Sequence, residues 1–171
     1  MDNIAEQIVA KNRSSTDYIK IAGIVVGALV LASLCMFFSI MTGFSVLVIV
    51  AVGVLFGGVY LLGNMSIEYE YILTNNELDI DKIIGKRKRK RMITLDVSTA
   101  EAFAPYPPEE DIAADATVHA SSGLEQDAYY LVVTHSGYGK VNLIFNPNEK
   151  IREAIAQEVP NKLRAELRHG K

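Results

Sequence analysis

The chain has 171 residues, half of them hydrophobic, a net charge of -3 and a single cysteine. That leaves room for one membrane unit and one soluble domain of ordinary size, excludes a disulfide-stapled scaffold within the chain, and supplies no overall attraction for a polyanion. A long apolar run is averaged with an ordinary polar remainder, so the mean hydropathy of +0.19 hides a sharp division.

Residues 1–18 are polar, with Asp2, Glu6, Lys11, Arg13 and Asp17. Ile4, Ile8 and Val9 allow at most a short amphipathic turn or two, so this stretch is expected to be a cytoplasmic N-terminal segment. Ser14, Ser15, Thr16 and Asp17 offer N-caps for a helix beginning near Tyr18 or Ile19. From Ile21 to Gly63, forty-three residues contain no Asp, Glu, Lys, Arg or His. A bilayer core is ~30 Å thick and a helix rises ~1.5 Å per residue, so such a run crosses twice. Residues 19–63 therefore read as a transmembrane helical hairpin, with spans at Ile19–Ile40 and Phe44–Gly63 and Met41-Thr42-Gly43 as the turn. The run starts too late and lasts too long for a cleaved signal peptide. Lys11, Arg13 and Lys20 precede it and Lys82 and Lys86 to Arg91 follow it, while the turn has no charge; both termini are expected inside a cell (inner) membrane. Tyr18 and Tyr60 suit the headgroup level, and Cys35 is a packing residue within the first span.

Each span holds a GxxxG, Gly23 with Gly27 and Gly53 with Gly57. Small residues let helices approach closely in lipid, and the two pairs lie at matching depths, which favours packing within the hairpin over a homodimer contact or no role.

Residues 64–171 carry the period of a sheet. Ile67, Tyr69, Tyr71 and Leu73 alternate with acids, Asn75-Asn76 reads as a hairpin turn, and Leu78 and Ile80 alternate with Asp79 and Asp81. Gly85 marks a second turn, Ile93, Leu95 and Val97 resume the alternation, and Thr99 to Ala104 reads as a fourth strand. Three prolines and three acids between Pro105 and Asp111 form an exposed acidic loop with no calcium-loop spacing. Three further strands follow at Ala116–Ser121, Tyr129–His135 and Lys140–Phe145. Asn146-Pro147-Asn148-Glu149 starts a closing helix, with Asn146 as the expected cap and Ile151, Ala154, Ile155 and Val159 as its buried stripe; Pro160 must kink or restart it.

The run from Tyr69 to Ile80, then Gly85, the Lys/Arg stretch and Ile93-Thr94-Leu95, resembles the beginning of bacterial membrane-associated PH-like domains. The resemblance implies an α+β protein: a transmembrane hairpin, an antiparallel β-rich domain of about seven strands in two sheets, and a C-terminal helix. It differs from eukaryotic lipid-binding members in placing its basic residues after the second turn.

Those residues, Lys86, Arg87, Lys88, Arg89, Lys90 and Arg91, are the most conspicuous feature outside the spans. A tight turn at Gly85 brings Asp79 and Asp81 opposite the run, worth ~0.2–1 kcal/mol per pair. The remaining charge suits anionic lipid at ~1 kcal/mol per juxtamembrane cation. A strand rising from the membrane and one descending would return Gly85 to the headgroup level, with Asn75-Asn76 distal and Glu109 to Asp111 away from the surface. Nucleic acid is not an expected partner, because the soluble part has 14 Lys/Arg against 17 Asp/Glu. His119 and His135 belong to no nucleophile or zinc motif, so no enzyme, cofactor or metal is expected. The function expected is that of a binding or assembly module at the membrane surface, with protein partners or self-association; an anionic-lipid sensor is the alternative, and a membrane enzyme is third.

Overall fold

A computed structural model of the chain describes residues 4–108 and 111–169. It divides into two compact units, one comprising residues 13–66 and 84–86 and the other the remainder.

The first unit is the helical hairpin. Helix α1 spans Ser15–Thr42 and α2 spans Val46–Gly63, each with an 18-residue stretch of mean hydropathy 2.6 and long enough to cross a membrane. The Asp17 carboxylate accepts the Ser14 amide at 3.0 Å, which fixes the start of α1 earlier than expected, and Gly43 closes it with φ 71° and its N–H on the Ser39 carbonyl. The positions that the hairpin covers are spaced by threes and fours, including Ile24, Ala28, Ala32 and Cys35 on α1 and Leu47, Ala51, Val54 and Gly58 on α2. The closest approach falls at Gly58, where a Cβ would lie 3.2 Å from the Ala28 Cβ. A Cβ at Gly23, Gly27, Gly53 or Gly57 would meet nothing within 4 Å, so the expected packing of the two GxxxG pairs within the hairpin is corrected. The interface falls on the a/d-like stripe through Ala28 and Gly58; Gly23, Gly53 and Gly57 are exposed, and Gly27 is half-buried at its edge. Residues 84–86 belong to the same unit: the Gly85 amide donates to the Ser66 carbonyl at 2.8 Å, and a Cβ on Gly85 would stand 3.0 Å from the Gly63 carbonyl oxygen.

The second unit is a β-sandwich closed by helices. Its first sheet has the order β1 (Ile4–Ala10), β2 (Ile67–Thr74), β3 (Glu77–Ile84), β4 (Lys88–Asp96). The presence of β1 corrects the reading of residues 1–18 as a separate segment. It pairs antiparallel with β2 from Ile4 opposite Thr74 to Ala10 opposite Glu68, and the Lys11 amide continues onto the Ile67 carbonyl at 2.9 Å. The strand escaped notice because its hydropathy is inverted. Ala5, Gln7 and Val9 face inward, whereas Ile4 and Ile8 are 58% and 51% exposed.

After a 3-10 turn at Val97–Thr99, the second sheet has the order β5 (Ala100–Pro105), β7 (Tyr129–His135), β8 (Gly139–Phe145), β6 (Ala116–Ala120). The seven strands after the hairpin thus lie close to where alternation placed them. One pairing departs from the antiparallel expectation: β6 runs parallel to β8, because the proline-rich loop carries the chain from one edge of the sheet to the other before β7 and β8 fill the middle. Tyr71, Leu78, Ile80 and Leu95 of the first sheet meet Leu131, Leu143 and Phe145 of the second in one core. Helix α3 (Glu149–Glu158) adds Ile151 and Ile155, and Pro160 ends it so that α4 (Asn161–His169) restarts, adding Leu163.

The cap of α3 is Asn148, whose side chain accepts the Ile151 amide at 2.9 Å, and not Asn146 as expected. Asn146 is buried and used elsewhere: its side chain accepts the Ser122 amide at 2.6 Å and donates to the Leu124 carbonyl at 3.1 Å. The buried Tyr71 hydroxyl beside it donates to the Ala120 carbonyl, and burial pushes its ionisation upward.

Candidate functional site

Two tight turns shape the basic hairpin. Asn75 opens the first with φ 55°, and Gly85 and Lys86 make the second with φ 61° and 57°, the pair of left-handed residues typical of a two-residue hairpin turn. The first is locked to the far end of β4, where Asn76 donates to Asp96 at 2.9 Å and the Val97 amide donates to the Asn76 carbonyl at 2.7 Å. The second lies against the C-terminal end of α2, as the Gly85 contacts with Ser66, Gly63 and Asn64 record. Glu109 and Glu110 of the acidic loop lie outside the described residues.

The six cations divide. Arg91 is committed to both aspartates named from the sequence: its Nη1 lies 2.7 Å from Asp79 and its Nε 2.5 Å from Asp81, and Thr94 donates to Asp79 at 2.6 Å. The aspartates hold the Arg91 guanidinium still more firmly protonated than usual. Arg89 reaches a third carboxylate, Glu70 on β2, at 3.0 Å. Arg87, Lys88 and Lys90 are exposed and make no ion pair among the described residues, while Lys86 has a partner of its own.

Glu70 is the residue that sequence reasoning missed. Alternation with Tyr69 and Tyr71 marks it as a solvent-facing acid, yet it is only 1% exposed. Arg89 Nη2 stands at ion-pair distance from Oε1 without hydrogen-bond alignment, and neither carboxylate oxygen receives a hydrogen bond. Burial pushes the Glu70 carboxyl above the ordinary range; Arg89 opposes the shift, and Glu6 and Asp81 add to it. The available signal was the excess of cations over the two aspartates directly opposite them, which calls for an acid one strand further in.

The remaining polar groups mostly satisfy one another. His135 Nδ1 accepts the Gly137 amide at 2.9 Å and its ring lies 5.0 Å from that of Tyr138, while His119 is exposed on β6. An open cleft beside β1 is bordered by Gln7, which bridges the Asn146 carbonyl and the Asn148 amide, and by Arg152, which donates to the Tyr129 hydroxyl at 2.7 Å. A second, against Pro105, Pro107 and Tyr130, has the Glu101–Lys140 pair at its rim. Neither gathers a nucleophile and a base.

The sequence profile of a family described as Bacterial PH-like domain (DUF6106) matches residues 1–165. The match takes in β1 and the hairpin as well as the sandwich. No curated protein and no solved structure matches the chain.

Proposed function

We propose, from the premise that the chain belongs to this family of bacterial PH-like domains, that it is a two-span membrane protein whose sandwich acts as a binding and assembly module at the membrane surface. The observation that carries this reading is the seat of the Gly85 turn on the end of α2, which ties the start of the basic run to a helix apolar enough to cross a bilayer. Successive Cα atoms are ~3.8 Å apart, so Arg87 and Lys88 stand within about 12 Å of that turn by chain length alone.

Pairing of β1 with β2 supports the topology. The ladder runs to Lys11 and Ile67, so the hairpin leaves and re-enters the sandwich at neighbouring positions. A chain that crosses between them crosses an even number of times. Basic flanks put both ends in the cytoplasm. In a Cys35→Ser background, a cysteine at Thr42 should label only from outside and one at the exposed Ser136 only from inside; the reverse pattern or a mixture overturns the topology.

A second reading, contact with anionic lipid, is favoured by Arg87, Lys88 and Lys90, three exposed cations without an ion-pair partner among the described residues. Purification of the full chain in mild detergent separates the readings. A stable protein partner supports assembly, and retained anionic lipid lost on Lys88→Gln/Lys90→Gln supports lipid contact. Recovery of neither rejects both.

A further inference from the structure

Arg89 differs from Arg91 in that its counterion is almost wholly covered and receives no hydrogen bond, whereas Asp79 and Asp81 are bonded by Arg91 and Thr94. The carboxylate of Glu70 is almost wholly covered, whereas the Arg89 side chain over it is 62% exposed. Like charge faces Glu70 from both flanking strands, Glu6 on β1 and Asp81 on β3; from β4 it faces Arg89, and Arg91 is already divided between Asp79 and Asp81. Directly across the ladder on β1 is Ile8, which offers no donor. Among the described residues Arg89 is the one cation that faces Glu70, and it sits at the surface between Lys88 and Lys90, which make no ion pair there.

We propose that the Glu70–Arg89 pair is a proton-operated latch on the basic hairpin. With Glu70 ionised, Arg89 is held to the sheet and the hairpin offers Arg87, Lys88 and Lys90. When Glu70 takes up a proton from solvent, its carboxyl becomes neutral, the Coulombic hold on Arg89 ends, and the freed guanidinium joins the other three in holding phosphate-bearing anions. Binding of such anions then strengthens as pH falls. By linkage, a bound anion that draws Arg89 away makes Glu70 bind its proton more tightly, because the carboxylate left behind would be buried beside two acids. This inference rests on the lipid-contact reading above.

The test uses the full chain in neutral detergent micelles. Its affinity for short-chain phosphatidylglycerol, for matching phosphatidylcholine and for inorganic phosphate is measured at pH 7, at pH 5 and at steps between them. One further cation at an anionic headgroup predicts about fivefold tighter phosphatidylglycerol binding at the lower pH. Glu70→Gln, which is close in shape, should bind at the tight level at both values. Arg89→Gln should bind at the weak level at both; the double variant repeats this result without leaving a buried acid unpaired. Glu6→Gln removes a like charge and should move the midpoint of the transition to lower pH. A pH dependence that survives Glu70→Gln, or an unmoved midpoint in Glu6→Gln, overturns the latch. So does phosphatidylglycerol binding that is selective and dependent on Lys88 and Lys90 yet flat with pH, while the lipid reading stands. Equal binding of both lipids, unchanged in Lys88→Gln/Lys90→Gln, overturns the lipid reading and the latch together. The same gain with inorganic phosphate upholds the latch and assigns it to phosphate groups in general.

Discussion

Replacing Gly85 by Ala asks whether the turn is truly seated on the end of α2. Two costs apply. At φ 61° a side chain costs ~1–2 kcal/mol in the left-handed region. The added Cβ would also lie 3.0 Å from the Gly63 carbonyl oxygen and 3.3 Å from Asn64 Cα, backbone atoms that cannot swing aside as the Asn64 amide can. Overpacking of that kind costs ~1–3 kcal/mol. Gly123 supplies the control, because its φ is 88° and a Cβ there would meet nothing within 4 Å. Gly123→Ala should carry the conformational cost alone, leaving an excess of ~1–3 kcal/mol for Gly85→Ala. At roughly 4 °C per kcal/mol for a domain near a hundred residues, the melting midpoints should differ by about 4–12 °C. Thermal melts of the full chain in detergent, followed by circular dichroism in the β region, measure this directly. Equal losses in the two variants would refute the seat, and with it the support that the hairpin's position lends to a surface-binding role.

Gly58→Val should weaken the hairpin by ~1–3 kcal/mol through its contact with Ala28, while Gly57→Val should be nearly neutral; helix melts that respond equally to both contradict the interface. Asn146→Ala strands the Ser122 amide and the Leu124 carbonyl and should cost ~1–3 kcal/mol per group, against ~1 kcal/mol for the cap variant Asn148→Ala; a reversed order in chemical denaturation sinks the assignment. Asp96 and Glu70 should give opposite pH signatures in unfolding midpoints. At Asp96 the upward effect of partial burial is outweighed by hydrogen bonds from Ser98 and Asn76, so its carboxyl is lowered; its stabilisation is present above the ordinary carboxylate value and lost as pH falls through the lowered one. Glu70 is raised, so its contribution is present below the ordinary value and lost as pH rises through the raised one. Asp96→Asn should flatten the acid limb, and Glu70→Gln should stabilise the chain at neutral pH; a destabilising Glu70→Gln there contradicts the sign.

What the sequence reveals depends on whether composition and burial agree. They agree at Tyr71, Leu78, Ile80 and Leu95, where inward positions are large and apolar, and those strands were legible to within a residue or two. They disagree in β1, where Ala5 and Gln7 face inward and Ile4 and Ile8 outward, and no hydropathy pattern can report that. The GxxxG pairs show a related limit. Small residues identify helices able to approach closely, but the stripe through Ala28, Ala32, Ala51 and Gly58 is set by which faces the short turn at Gly43 brings together. At the basic hairpin, Asp79 and Asp81 were legible because a tight turn fixes cross-strand neighbours, whereas the Glu70–Arg89 pair spans two strands and needed the sheet order.

The insertion of the hairpin between β1 and β2 also sets an order of events during synthesis. β1 leaves the ribosome fifty-six residues before its partner begins, and the residues between, Lys11 to Ser66, contain the two long apolar helices. Closing so long a flexible loop would cost entropy, but two helices already packed side by side return the chain to its starting point and remove most of that cost. β1 is thus an unpaired edge until the helical hairpin and β2 have been made. Nascent chains arrested far enough beyond Thr74 for β2 to have left the ribosome should protect β1 from protease when membranes are present and leave it open to cleavage when they are not.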